Sequence, residues 1–89
     1  MRTTNVIVPW TEGLHLRLAA KLVRLAKRFR SEIHIQRGNL SAEATSILSI
    51  VLLCAAMSTQ LQINADGPDE EEAVSAIEQF FSEKPSGSS

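Results

Sequence analysis

The sequence predicts an α+β domain in which a four-stranded antiparallel sheet carries three helices on one face and leaves the other face open. Three observations predict it. Residues 32–36 and 60–66 alternate apolar and polar side chains, the period of a strand buried on one side. Residues 16–30 and the stretch after Asp69 place apolar side chains at helical spacing, and residues 46–57 are almost wholly apolar. The chain has only 89 residues, so these segments must share one modest core. Stacking all helices on one sheet face is the economical solution.

In chain order, residues 3–9 read as a short strand ended by Pro9, and residues 10–15 as a loop. In the helix over 16–30, Leu18, Ala19, Leu22, Leu25, Ala26 and Phe29 share the core face. The alternation Glu32-Ile33-His34-Ile35-Gln36 gives the second strand, with His34 on its solvent side. Arg37-Gly38-Asn39 reads as a turn into a third strand over 40–44. Ser46 is the expected N-cap of the helix over 46–57, where Cys54 reads as a small packing residue. The fourth strand covers 60–66, and Gly67-Pro68 turns the chain. Asp69 is the expected N-cap of the last helix. Glu70, Glu71 and Glu72 suit its positive end, and Ala73, Val74, Ile77, Phe80 and Phe81 form its apolar stripe. The expected domain is 1–84, with 85–89 a disordered tail.

Composition narrows the function. The single cysteine rules out an intrachain disulfide, and no Cys/His set has zinc spacing. With no signal peptide, this points to a reducing, cytoplasmic setting. The apolar run over 47–57 is too short to insert into a membrane, which takes about 20 residues. The net charge of −1 hides a split. Residues 1–40 carry eight Lys/Arg against two Asp/Glu, and residues 41–89 carry one against eight. Such asymmetry either steers an acidic partner to one face or reflects two solvated helices of opposite sign. With no overall basic charge and few aromatics, nucleic acid is not an expected partner. A monomer is expected.

The chemistry concentrates in Gly13-Leu14-His15-Leu16-Arg17-Leu18-Ala19-Ala20. His15 falls where the first helix begins. Helix N-termini offer unpaired N–H groups and partial positive charge, a setting for phosphate. Arg17 adds a fixed cation and a fork of donors. Neutral imidazole is a competent nucleophile near pH 7. Together these suit a transient phosphohistidine on His15; taken alone, one histidine at a cap is more often a residue that merely caps or faces water. Leu16 and Ala20 sit opposite the core face, beside Arg17, Arg24 and Lys27. An apolar centre ringed by basic residues resembles a docking surface for an acidic partner. The helix over 46–57 cannot bury its whole surface in so small a domain, so part of it is exposed or meets a partner. Ser46 is a helix cap or a phosphorylation site.

Gly-Leu-His-Leu-Arg followed by a basic amphipathic helix resembles the HPr family, the histidine phosphocarriers of the phosphoenolpyruvate:sugar phosphotransferase system. Ser46-Ile47-Leu48 and Asp66-Gly67-Pro68-Asp69-Glu70-Glu71-Glu72-Ala73 resemble further segments of that family, and the resemblance spans about residues 3–83. It implies an open-faced β-sandwich of β-α-β-β-α-β-α order. It implies that His15 takes a phosphoryl group on Nδ1 from enzyme I, charged by phosphoenolpyruvate, and passes it to a histidine of a IIA-type protein. Arg17 would assist through its charge. Leu16, Ala20, Arg24, Lys27, Ile47, Leu48, Val51 and Leu52 would form the docking face, and Ser46 would match a kinase site of some relatives. The carrier would need no metal or other cofactor, and would be a carrier rather than a free-standing enzyme.

The sequence also departs from the family pattern. Leu18 replaces a proline, restoring an N–H at the helix start. Leu16 is bulkier than usual. The segment Thr45-Ser46-Ile47-Leu48-Ser49 replaces Lys-Ser-Ile-x-Gly. Cys54 and Ser58 stand where glycines are expected, so the turn after the second helix should be built differently. Two alternatives therefore stand beside the phosphocarrier. One is a regulatory adaptor that binds partners through the Leu16/Ile47/Leu48/Leu52 face without using His15. The other is a small-anion site made by Arg17 and the helix amides.

Overall fold

A computed structural model describes residues 1–53 and 56–82. Its elements are β1 (Arg2–Ile7), α1 (Leu16–Ala26), β2 (Glu32–Arg37), β3 (Leu40–Glu43), α2 (Ile47–Leu52), β4 (Gln60–Asp66) and α3 (Glu70–Ser82). The strands form one antiparallel sheet in the order β1-β4-β2-β3. This is the α+β open-faced sandwich that the periodicities predict. Val6 opposite Leu61, Ile35 opposite Ile63 and Ala42, and Ile33 opposite Ala65 all face the core. The register is fixed because a one-residue slip would turn this whole set to water. Asn5, Gln36, Gln62 and Asn64 alternate onto the open face.

The helices close the other face. Ala19, Leu22, Val23 and Ala26 of α1, Ile50 of α2, and Ala73, Val74, Ile77 and Phe81 of α3 are buried. Val23 belongs to the core although the sequence reading left it out. Helix α1 packs against both α2 and α3, so its buried arc is wider than one sheet contact requires. Leu18, Leu25 and Phe29 are only partly buried against the core. Trp10 is buried in front of the site loop, and its ring lies 5.4 Å from that of Phe80 and 5.3 Å from that of Phe81.

Three expectations change. First, α1 stops at Ala26 rather than at residue 30. Arg28 and Phe29 N–H groups bond three residues back, to Leu25 and Ala26, which tightens the last turn. Arg30 and Ser31 are then pulled out of the helical path. Their N–H groups donate to the Asp69 carboxylate at 2.9 Å each, and the Ser31 hydroxyl donates to it at 2.6 Å. Second, the Asp69 carboxylate, expected to cap the start of α3, is bound at the α1–β2 junction. Its carbonyl still opens α3 by accepting from Ala73 at 2.9 Å. Third, α2 has only six residues, where the apolar run suggests twelve. Leu53 caps it, bonding back to Ile50 and Val51, and its carbonyl is taken by Arg37 Nε at 2.6 Å. Cys54, Lys84 and the tail over 85–89 lie outside the described residues.

The turn before β4 also departs from expectation. Ser58 keeps the left-handed conformation, φ 72°, that glycine would adopt without strain. It is held there by its N–H donating to the Val8 carbonyl at 2.8 Å, while Val8 N–H donates to Thr59 at 3.0 Å. Gly67 is required for a different reason: a Cβ there would lie 2.6 Å from Ser31 Cα.

Two stability measurements follow from these junctions. In urea unfolding, Ser58→Gly should gain about 1 kcal/mol by relieving left-handed strain, and Gly67→Ala should lose about 1–3 kcal/mol by overpacking. Acid unfolding tests Asp69. The Ser31 hydroxyl, then the Arg30 and Ser31 N–H groups, hold its carboxyl below the ordinary value of 3.8. A lowered folded value means that the stabilisation is complete at neutral pH and is lost as pH falls through about 4 and below. The urea midpoint should drop over that window, and Asp69→Asn should make the drop shallower.

Candidate functional site

The site is built at the start of α1. Gly13 turns the chain with φ 75°, its N–H donating to the Trp10 carbonyl at 2.9 Å. Leu14 is buried, anchoring the loop to the core. The next residue, His15, is the N-cap, with extended φ −85° and ψ −178°. Its carbonyl accepts from Ala19 at 2.8 Å, and its imidazole Nδ1 accepts from Arg17 N–H at 3.3 Å. The imidazole thus takes the role that a serine or aspartate oxygen usually plays at this position.

This arrangement fixes the chemistry of the ring. A nitrogen that accepts a hydrogen bond carries its lone pair outward and no proton. Nδ1 is therefore the basic nitrogen, pointed at the amide end of α1. The other nitrogen, Nε2, lies 3.1 Å from Oε1 of Glu12. The His15 side chain is 30% exposed, so a reactant can reach it. The amides of Leu16, Arg17 and Leu18 precede the first intrahelical donor, Ala19. Leu18 contributes an amide that proline would lack, and α1 still begins at Leu16. Its side chain packs against the core instead.

The other sequence-predicted residues fall on two touching helices, α1 and α2. Leu16 is 64% exposed, Leu48 67%, Leu52 64% and Ile47 37%. Arg17, Arg24 and Lys27 are exposed, with Lys27 at the C-cap, and Ala20 and Val51 are half-buried. So α2 splits as its composition requires, with Ile50 buried, Val51 half-buried and Ile47, Leu48 and Leu52 outward. Ser46 caps α2: its hydroxyl accepts from Ser49 N–H at 3.3 Å and donates to Ser49 Oγ at 3.0 Å. His34 is half-buried on β2, away from the α1 start in sequence and on the sheet.

Glu12 is the residue that the sequence reading missed. Its spacing of three from a histidine was the available signal, but a loop carboxylate has no fixed direction until Gly13 and Leu14 set the turn. Among the described residues, no group of three or more His, Cys, Asp or Glu could hold a metal ion. Nor is any helix there long and apolar enough to cross a membrane.

Comparison with known proteins returns phosphocarriers. The family model described as "PTS HPr component phosphorylation site" matches residues 2–83. The chain is 42% identical over 74 residues to the phosphocarrier protein HPr of Haemophilus influenzae, covering 83% of this chain and 87% of that one. It is 39% identical over 72 residues to the HPr of Treponema pallidum, covering 81% and 82%. The solved HPr structure from Thermoanaerobacter tengcongensis superposes with a TM-score of 0.85 at 34% identity, over 94% of this chain and 99% of that one. The chain belongs to the HPr family of phosphotransferase-system phosphocarriers, and its role is to carry phosphoryl groups in such a system. Membership implies partners drawn from that system.

The exposed apolar side chains make one stability prediction. Leu48→Asp removes little buried surface, so its unfolding free energy should stay within about 0.5 kcal/mol of the parent in urea. Ile50→Ala, two residues on and on the buried side, should lose about 2–5 kcal/mol.

Proposed function

We propose that His15 accepts the phosphoryl group on Nδ1 from enzyme I and delivers it to a histidine of a IIA-type protein. The observation that carries this reading is the direction of Nδ1, which accepts the Arg17 N–H in the first turn of α1 on a partly exposed ring. In the forward step the Nδ1 lone pair attacks phosphorus, and the bond from phosphorus to the donor breaks. The electron pair of that bond leaves with the donor. The Arg17 amide, released from Nδ1, is then placed to donate to a phosphoryl oxygen, and the other free amides add partial positive charge. The Arg17 guanidinium adds a full positive charge to this exposed first turn of α1. On transfer to the acceptor the steps reverse.

Leu16, Ala20, Arg24, Lys27, Ile47, Leu48, Val51 and Leu52 are the proposed docking face. Their support is the exposure of the leucines and the basic residues bordering them on α1. An acidic-rimmed, apolar-centred partner surface would complement it. The adaptor reading uses the same face, and differs only in making His15 dispensable.

Intact mass after incubation with phosphoenolpyruvate and the cognate enzyme I separates the two. The parent should gain one acid-labile phosphoryl group and His15→Ala none, although His15→Ala remains folded. Arg17→Ala should slow the transfer roughly tenfold. Leu48→Asp should raise the half-saturating concentration and leave the maximal rate largely intact. Retained phosphorylation in His15→Ala would sink the reading, and partner binding indifferent to His15 with no phosphorylation of the parent would favour the adaptor.

A further inference from the structure

We propose that Glu12 is a positioning residue for phosphoryl transfer: its carboxylate holds the proton of His15 on Nε2 and so keeps phosphorylated His15 in its transferable form. The proposal rests on the reading of His15 as the phosphoryl site, and is tested below without enzyme I.

The geometry is one-sided. Nδ1 of His15 receives the Arg17 N–H at 3.3 Å, so in the neutral ring the proton sits on Nε2. Oε1 of Glu12 stands 3.1 Å from that nitrogen. When Nδ1 bonds to phosphorus, it gives up its lone pair and the ring becomes cationic as long as Nε2 keeps its proton. The two later routes then differ sharply. With Nε2 protonated, breaking the P–N bond returns the electron pair to Nδ1 and releases a neutral imidazole. With Nε2 bare, the same cleavage must release an imidazolate, a far poorer leaving group. An anion beside Nε2 favours the protonated, cationic ring, and so favours cleavage toward an acceptor or toward water. No proton need move, since Nε2 holds it before, during and after transfer.

No other charged group in the described structure duplicates this contact. Arg17, on α1, meets the ring through its backbone at the opposite nitrogen. Helix α2, packed on α1, carries no titratable side chain between Ile47 and Leu53. On α3, Glu70 accepts from Gly67 N–H, Glu71 pairs with Arg2 and Glu78 accepts from Thr4, all directed away from the His15 loop. Glu12 is 75% exposed, which caps the size of the effect: an exposed charge pair changes a rate or equilibrium by roughly two- to fivefold.

The experiment phosphorylates the full chain chemically with phosphoramidate, and follows loss of phosphohistidine by 31P NMR at about pH 8 and in acid. His34 is the internal control, since it lies on β2 and has no contact with Glu12. Hydrolysis moves the phosphoryl group to water, breaks the P–N bond and leaves neutral histidine and inorganic phosphate. At about pH 8, phosphorylated His15 should be lost roughly two- to fivefold more slowly in Glu12→Gln and Glu12→Ala than in the parent. Glu12→Asp, which keeps the charge, should recover part of the rate. In acid, where solvent protonates Nε2 in every variant, the rates should converge, and His34 should be unaffected throughout. Equal His15 rates in parent and Glu12→Gln at about pH 8 would overturn the proposal, as would a difference that persists in acid. A parent that takes no phosphoryl group from enzyme I would defeat the functional reading, yet leave this comparison intact.

Discussion

The place where α1 begins governs both halves of this molecule. The first residue of a helix needs a partner for an amide that no carbonyl can reach. Here that partner is an imidazole nitrogen, so one side chain closes the helix and presents the lone pair that the proposed chemistry uses. The position of that start is set from two directions. Behind it, Gly13 and the buried Leu14 bring the loop off the core. Ahead of it, Ala19, Leu22, Val23 and Ala26 hold α1 against the sheet and its neighbouring helices. A shift of α1 by one residue would expose that face and move His15 off the cap.

The same economy shapes the rest of the surface. A domain of this size has too little interior to bury three helices fully. It buries one side of each and leaves large apolar side chains of α1 and α2 outside. The proposed docking face uses this exposed area, since a surface that is apolar at the centre and charged at the edge suits reversible binding. The acidic second half of the chain is drawn to other tasks. Asp69 ties the β4–α3 turn to the α1–β2 junction, Glu70 closes that turn on the Gly67 N–H, and Glu71 and Glu78 tie α3 to β1. The charge asymmetry is therefore partly internal scaffolding and partly a basic helix left facing out.

The strands, the helix order and the placement of His15 and Arg17 at the start of α1 were legible because periodicity and a local motif are written in consecutive residues. What escaped was set by residues far apart in sequence. The end of α1 depends on Asp69, thirty-eight residues after Ser31. Val23 is buried because two other helices flank it, which no single-helix pattern encodes. The end of α2 is fixed by Leu53 and Arg37 rather than by a polar break. Glycine was expected at position 58 for its backbone freedom, and the conformation persists on serine because Val8 holds it with hydrogen bonds. Glu12 was invisible for the same reason: only the finished loop turns it toward Nε2.

The central claim is that the phosphoryl group sits on Nδ1 of His15, at the amide end of α1. The most direct test is 15N and 31P NMR of the protein phosphorylated by enzyme I, with histidine nitrogens labelled. A phosphorus coupling to Nδ1 of His15, with a large shift of the Arg17 amide as it leaves the ring for a phosphoryl oxygen, is the predicted result. Coupling to Nε2, phosphorylation at His34, or an Arg17 amide that does not move would contradict the account.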